Sequence, residues 1–302
     1  MELACPICNK EGKLFIADGK DFFISDGNSK LFDVYYCDTC QVGYSMPYME
    51  DSKLSDYYPD DFESYTPKKS FMAYIQSLKY KSDLKLIEKR LKYFGASIFE
   101  IGAGRGEFLA KAKKRGFLVD GVEPGAPGRK YSKEKFDITL SGELAETVVF
   151  KEKYDIIAMR HVLEHINSPV PILERIFDKG LKSGGFLFLK LPRLDSWEVK
   201  LFGKYWHGLD LPRHRMHYTK DGIINILHTI GFTNIRVIQE VVPSDIMRSI
   251  QYYSNHDSAK TAKLVSSILR FFPPILQLVV FQFFSIIMMP FKAGRLIVLA
   301  KR

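Results

Sequence analysis

Residues 98–108 read IFEIGAGRGEF, with glycines at 102, 104 and 106 and an acid, Glu100, just before them. Glycines at this spacing let a backbone turn approach a ligand closely at the carboxyl end of a strand. A dinucleotide turn needs G-x-G-x-x-G, and Gly106 stands one place too early for it. Glu100 would repel a phosphate and suits a cationic ligand, such as one bearing an amino group and a sulfonium. Glu123 follows Gly104 by 19 residues at the end of FLVDGVE. A carboxylate there accepts hydrogen bonds from both hydroxyls of a ribose. Gly102, Gly104, Glu100 and Glu123 therefore predict a positively charged, nucleoside-like ligand.

Two further groups carry chemistry. Cys5-Pro6-Ile7-Cys8 and Cys37-Asp38-Thr39-Cys40 are two CxxC knuckles 28 residues apart. Each knuckle presents two thiolates from one tight turn, so Cys5, Cys8, Cys37 and Cys40 together predict a tetrahedral, structural Zn2+ site with no open position. Histidines form the other group. His161-Val162-Leu163-Glu164-His165 follows an apolar run, and Trp206-His207-Gly208-Leu209-Asp210-Leu211-Pro212-Arg213-His214 forms a loop mixing aromatic, cationic and imidazole groups. Imidazole titrates near neutrality, which makes His165, His214 and His207 the candidates for a general base. Arg213 is placed to hold a substrate carboxylate or phosphate, and Trp206 to line the same site. The plainer alternatives are a buried His165 that fixes a loop, and a 206–214 lid that packs on the core. The string H-x-x-E-H also matches a metalloprotease pattern, but that pattern belongs within a long helix and here it directly follows DIIAM.

These residues need elements to position them. The chain has 302 residues, 46% hydrophobic and 26% charged, enough for a large domain and a small one. Residues 1–45 form the small module, with alternating KLFIADG and KLFDVYYC as a hairpin between the knuckles. Residues 46–95 hold a Tyr- and Pro-rich connector and a helix over 70–94. From 96 to 302, SIFEI, FLVDGVE, FDITL, YDIIAMR and GGFLFLKLP read as buried strands separated by helices, one of which starts at Asn167-Ser168-Pro169. This is an α/β pattern with a parallel sheet covered on both faces. Lys plus Arg exceed Asp plus Glu by 44 to 35, a net charge of +9 that favours anionic partners.

The motifs FEIGAGRG, GVEPG, YDIIAMRHVLEHI and LKSGGFLFLKLP, in that order, resemble those of class I S-adenosylmethionine-dependent methyltransferases. SDYYPDDFESYT and LFGKYWHGLDLPRHRMHYT are similar to segments of a bacterial subgroup with an N-terminal four-cysteine zinc ribbon. Its relatives include ubiquinone-type O-methyltransferases and enzymes that methylate sugars or cell-envelope precursors. The resemblance implies a Rossmann-like, seven-stranded, mostly parallel sheet with the last strand antiparallel. It places Glu100, Gly102 and Gly104 around the methionine moiety of S-adenosylmethionine and Glu123 on its ribose, with Arg160 and His161 lining the other side. The expected acceptor is a small-molecule, sugar or lipid-linked hydroxyl. A nucleic-acid methyltransferase is the alternative, suggested by the charge and the ribbon. It lacks an NPPY-type motif after the fourth strand and a cysteine outside the knuckles.

The start, Met1-Glu2-Leu3-Ala4, has no basic or apolar leader, which predicts a cytoplasmic protein with reduced thiols. Residues 271–291, FFPPILQLVVFQFFSIIMMPF, are apolar but carry three prolines and lead at once into GRLIVLAKR. The expectation is an insertion over about 243–291 that contacts a membrane peripherally or packs as a lid, not a span.

Overall fold

The computed structural model describes residues 3–22, 30–49, 57, 70–91, 95–257 and 291–302, with scattered positions between 259 and 287. Most of the 46–69 connector and the end of the predicted 70–94 helix lie outside the described residues.

Three antiparallel strands open the chain: β1 (Lys13–Gly19), β2 (Phe32–Cys37) and β3 (Val42–Met46). Helix α1 (Ser70–Glu88) leads into an alternating series. This runs β4 (Ser97–Ile101), α2 (Glu107–Lys113), β5 (Leu118–Val122), α3 (Ala126–Phe136), β6 (Tyr154–Arg160), α4 (Pro169–Arg175) and β7 (Leu181–Pro192). Then come α5 (Trp197–Phe202), β8 (Met216–Tyr218), α6 (Lys220–Ile230), β9 (Thr233–Glu240), α7 (Pro243–His256) and β10 (Arg295–Lys301).

The main sheet has the order β5-β4-β6-β7-β10-β9. Strands β5, β4, β6 and β7 are parallel, and β10 runs antiparallel to both its neighbours. Successive side chains alternate faces, so one strand feeds two cores. Ile98, Ile156, Ala158 and Phe188 pack with Leu84 and Ile87 of α1 and Phe108 of α2, whereas Phe99, Ile157, Met159 and Leu189 pack with Leu173 of α4 and Leu227 of α6.

The expected seventh strand, FDITL, is a correction. It is reduced to one parallel bridge, Val122 to Ser141, leaving six strands. Asp137 takes a left-handed conformation (φ 50°) at the end of α3, and the Ile138 amide donates back to Ser132 O of that helix. The chain thus reaches the sheet edge only at Ser141, whose carbonyl accepts from Glu123 N–H at 2.9 Å.

The N-terminal strands form a second sheet, β1-β2-β3-β8, whose fourth strand comes from between β7 and β9 of the main sheet. β8 pairs with β3 in the register Val42–Tyr218, Gly43–His217 and Tyr44–Met216. Thr219 Oγ1 donates to Gln41 O at 2.6 Å, and Cys5, Cys37 and Val42 share a core with Tyr218 and Ile223. The ribbon strands are thereby fastened to the loop that follows α5.

Within 271–291 only some positions are described. Phe271, Phe283, Ile287 and Phe291 are among the exposed hydrophobics there. Among the described residues no helix is long and apolar enough to cross a membrane.

Candidate active site

The glycine turn links β4 to α2 at the carboxyl edge of the sheet. Gly102 and Gly104 have φ of 71° and 55°, a region that L side chains seldom adopt. A Cβ on Gly102 would lie 2.5 Å from Val162 Cγ2, while a Cβ on Gly104 would project into open space with nothing within 4 Å. Glu123, at the end of β5, ties the turn down. Its Oε2 accepts Gly104 N–H and its Oε1 accepts Gly125 N–H, both at 2.7 Å.

Glu100 is fully buried, and its Oε1 accepts Arg160 Nε–H at 2.9 Å. Its Oε2 is buried without a hydrogen-bond partner. An orphaned carboxylate oxygen on the strand that leads into an open glycine turn fits a ligand that brings positive charge, as S-adenosylmethionine does. Burial pushes the Glu100 carboxyl up to about 7, against the pull of Arg160. The ionised form binds a cation, so donor affinity is full above that value and falls as pH drops through it. The expected loss is up to about tenfold per pH unit. Calorimetry at constant ionic strength across this range checks it, and Glu100→Gln is expected to flatten the profile.

Arg160 ends β6. Its guanidinium lies over the rings of Tyr80 (4.5 Å) and Phe108 (4.3 Å) while bonding Glu100. Behind it Asp83 and Glu240 hold Lys190 at 3.1 and 2.7 Å. His161 has φ 59° and is not helical, so His161 and His165 do not share a helix face; a short 3-10 turn covers only Leu163–His165. Strain of this kind clusters at functional sites. His161 Nδ1 lies 3.2 Å from Glu164 Oε1, and Arg295 Nη1 donates to the same ring. Arg295 is in turn paired with Asp245, Nη2 to Oδ1 at 2.9 Å.

The 206–214 loop returns to this edge. His165 and His214 meet edge to face with ring centroids 4.7 Å apart. With Glu164 they form a cluster whose ligating atoms all lie within 4.8 Å of one another. Burial lowers both imidazoles, which keeps them neutral, and pushes Glu164 up to about 8. His207 is placed elsewhere: its ring meets Tyr252 Oη (3.3 Å) and Arg248 (3.4 Å) against α7, and burial lowers it to about 4.

Arg213 and Trp206 differ from the sequence expectation. Arg213 is 1% exposed and bonds Asp21 at 2.7 and 3.0 Å and Asp210 at 2.7 Å, which leaves its fork turned inward. Trp206 is 2% exposed in a core with Phe32, Val34 and Leu211. Both hold the loop to the N-terminal sheet. The sequence reading missed Asp21, Asp83, Asp245 and Arg295, whose partners lie 50 to 192 residues away. Glu164 did carry a signal, standing inside the HVLEH string.

The four cysteines converge as their spacing predicts. Their sulfurs lie within 4.8 Å of one another, with Cys8 Sγ to Cys37 Sγ at 3.6 Å. Four thiolates around Zn2+ at about 2.3 Å put sulfurs about 3.8 Å apart. The set therefore fits the ion, and the described residues add no fifth donor to this group.

The profile of the methyltransferase domain family matches residues 73–237. An uncharacterised methyltransferase of Geobacillus kaustophilus is 33% identical over 75 residues, which is 24% of this chain and only 35% of that relative's length. Phosphoethanolamine N-methyltransferase 2 of Haemonchus contortus, solved with S-adenosylmethionine, is similar in structure (TM-score 0.50, 17% identity, 74% of this chain and 52% of that one). A SAM-dependent methyltransferase of Thermotoga maritima gives a TM-score of 0.49 at 17% identity, over 74% of this chain and 88% of that one. At 17% identity the likeness to the Haemonchus contortus enzyme is one of fold alone. With the family profile covering more than half of its length, the chain belongs to the methyltransferase domain family.

Proposed function

We propose that the protein transfers the methyl group of S-adenosylmethionine to a hydroxyl of a small-molecule, sugar or lipid-linked acceptor, in cell-envelope or quinone-type biosynthesis. The observation that carries the donor half is the buried, unpartnered Glu100 Oε2 at the end of β4, next in the chain to the Gly102–Gly104 turn that Glu123 braces. The sulfonium carbon is already activated, so the chain's own share is to orient the donor, exclude water and handle the acceptor's proton. Gly102, Gly104, Glu100 and Glu123 orient the donor. The Glu164–His165–His214 cluster, a few residues past the end of β6, receives the acceptor hydroxyl.

Cys5, Cys8, Cys37 and Cys40 hold a structural Zn2+, as in the ribbon subgroup the sequence resembles. When bound, the ion fixes the knuckles and, through the β3–β8 pairing, the loop carrying His214. Exposed Phe271, Phe283, Ile287 and Phe291 favour a lipid-linked acceptor met at a membrane surface. The nucleic-acid reading loses ground because all four thiols gather in one cluster, leaving none to attack a pyrimidine carbon.

Incubating the protein with methyl-labelled donor and fractionated cell extract tests the reading. Label is expected in the lipid or saccharide fraction. Label recovered in RNA, or in no fraction while the donor still binds, would contradict it.

A further inference from the structure

We propose that Glu164, His165 and His214 form a second metal site, suited to a divalent first-row cation and separate from the four cysteines. Three observations converge on it. The candidate ligand atoms lie within 4.8 Å of one another. Both ring tautomers are set from outside: His165 Nδ1 lies 3.0 Å from Arg213 O and His214 Nδ1 lies 2.9 Å from Gly208 O. A carbonyl only accepts, so each Nδ1 carries the hydrogen and each Nε2 carries the lone pair, the arrangement that metal-binding imidazoles use. The third observation is Glu164 Oε2, an acceptor buried without a hydrogen-bond partner on a residue 1% exposed.

The spacings agree. His214 Nε2 is 3.9 Å from Glu164 Oε1 and 3.7 Å from Asp210 Oδ2, too long for hydrogen bonds. Atoms that each lie about 2.0–2.2 Å from a shared tetrahedral ion are about 3.3–3.6 Å apart, so the ligands would close in by a few tenths of an ångström around it. Two imidazoles and a carboxylate suit Zn2+, Fe2+, Co2+ or Mn2+ better than Mg2+ or Ca2+. Arg295, which donates to the His161 ring beside Glu164, is paired with Asp245.

Three protein ligands leave coordination positions for a water or an acceptor. What the ion does there rests on the methyl-transfer reading. It lowers the pKa of an acceptor hydroxyl, whose proton leaves to water. The oxygen then bonds the methyl carbon as the carbon–sulfur bond breaks, its electron pair staying on sulfur and cancelling the sulfonium charge.

Cobalt titration of the chelator-treated full chain reads both sites separately from activity. Co2+ on the four cysteines gives thiolate charge-transfer absorption, whereas Co2+ on Glu164, His165 and His214 gives d–d bands without it. The expected wild-type result is two ions per chain, one of each kind. His214→Ala should lose the second and keep the thiolate bands, and the near-isosteric Glu164→Gln should weaken the second at least about tenfold. A wild type that binds a single ion with thiolate character overturns the proposal. So does a Glu164→Gln chain with intact thiolate bands and an unchanged second affinity. Heat from S-adenosylhomocysteine is measured in parallel, so loss of the donor reading and loss of this site give different results.

Discussion

Glu123→Ala is expected to weaken binding of S-adenosylmethionine and S-adenosylhomocysteine by about 10²–10⁴-fold. The carboxylate accepts two backbone amides at 2.7 Å, from Gly104 and Gly125, and thereby sets the turn before any ligand arrives. Each bond to a charged group contributes about 1.5–3 kcal/mol, and losing two corresponds to that range of affinity. The variant removes the ribose acceptor and the brace on Gly104 together. Glu123→Gln keeps one acceptor oxygen and is expected to fall between the two. Calorimetry with the product measures the change, and a melting curve on the same sample shows whether the fold persists. A Glu123→Ala chain that binds the product like wild type would refute the assigned role.

Arg213→Ala is expected to destabilise the fold instead of raising the KM for an acceptor. Arg213 is fully enclosed and neutralises Asp21 from the N-terminal module and Asp210 from its own loop. Removing it leaves two buried carboxylates uncompensated, at a cost of about 3–5 kcal/mol. In a chain of this size that lowers Tm by roughly 5–8 °C. Arg213→Lys is expected to recover part of the loss, because an ammonium cannot reproduce the forked contact to Asp21. An unchanged melting curve with a raised acceptor KM would restore the substrate-contact reading drawn from residue type alone.

These two residues show where sequence legibility begins and ends. The glycine turn was legible as a turn because its residues are local: Glu100, Gly102 and Gly104 stand within five positions, and Glu123, which braces it, ends the next strand. The cysteine knuckles were legible for the same reason. The parallel sheet followed from the alternation of apolar runs and helices, and its antiparallel last strand is β10, which pairs with β7 and β9. Arg213 was misread because the residue that decides its role, Asp21, is 192 positions away. FDITL has the apolar content of a strand, yet the left-handed turn at Asp137 and the amide given to Ser132 keep it off the ladder until Ser141. The pairing of β8 with β3 was hidden by length, since three residues, MHY, carry too little periodicity to announce a strand. Glu164 was overlooked because a carboxylate inside a motif reads as spacing until its burial is known.

The central claim is that the turn between β4 and α2 holds a positively charged methyl donor over Glu100. Calorimetric titration of the purified, metal-replete chain with S-adenosylmethionine and then S-adenosylhomocysteine tests it most directly. One site per chain is expected for each, with affinity falling as pH drops below about 7 and Glu100 takes up its proton. A folded, metal-replete chain that gives no heat with either ligand would contradict it.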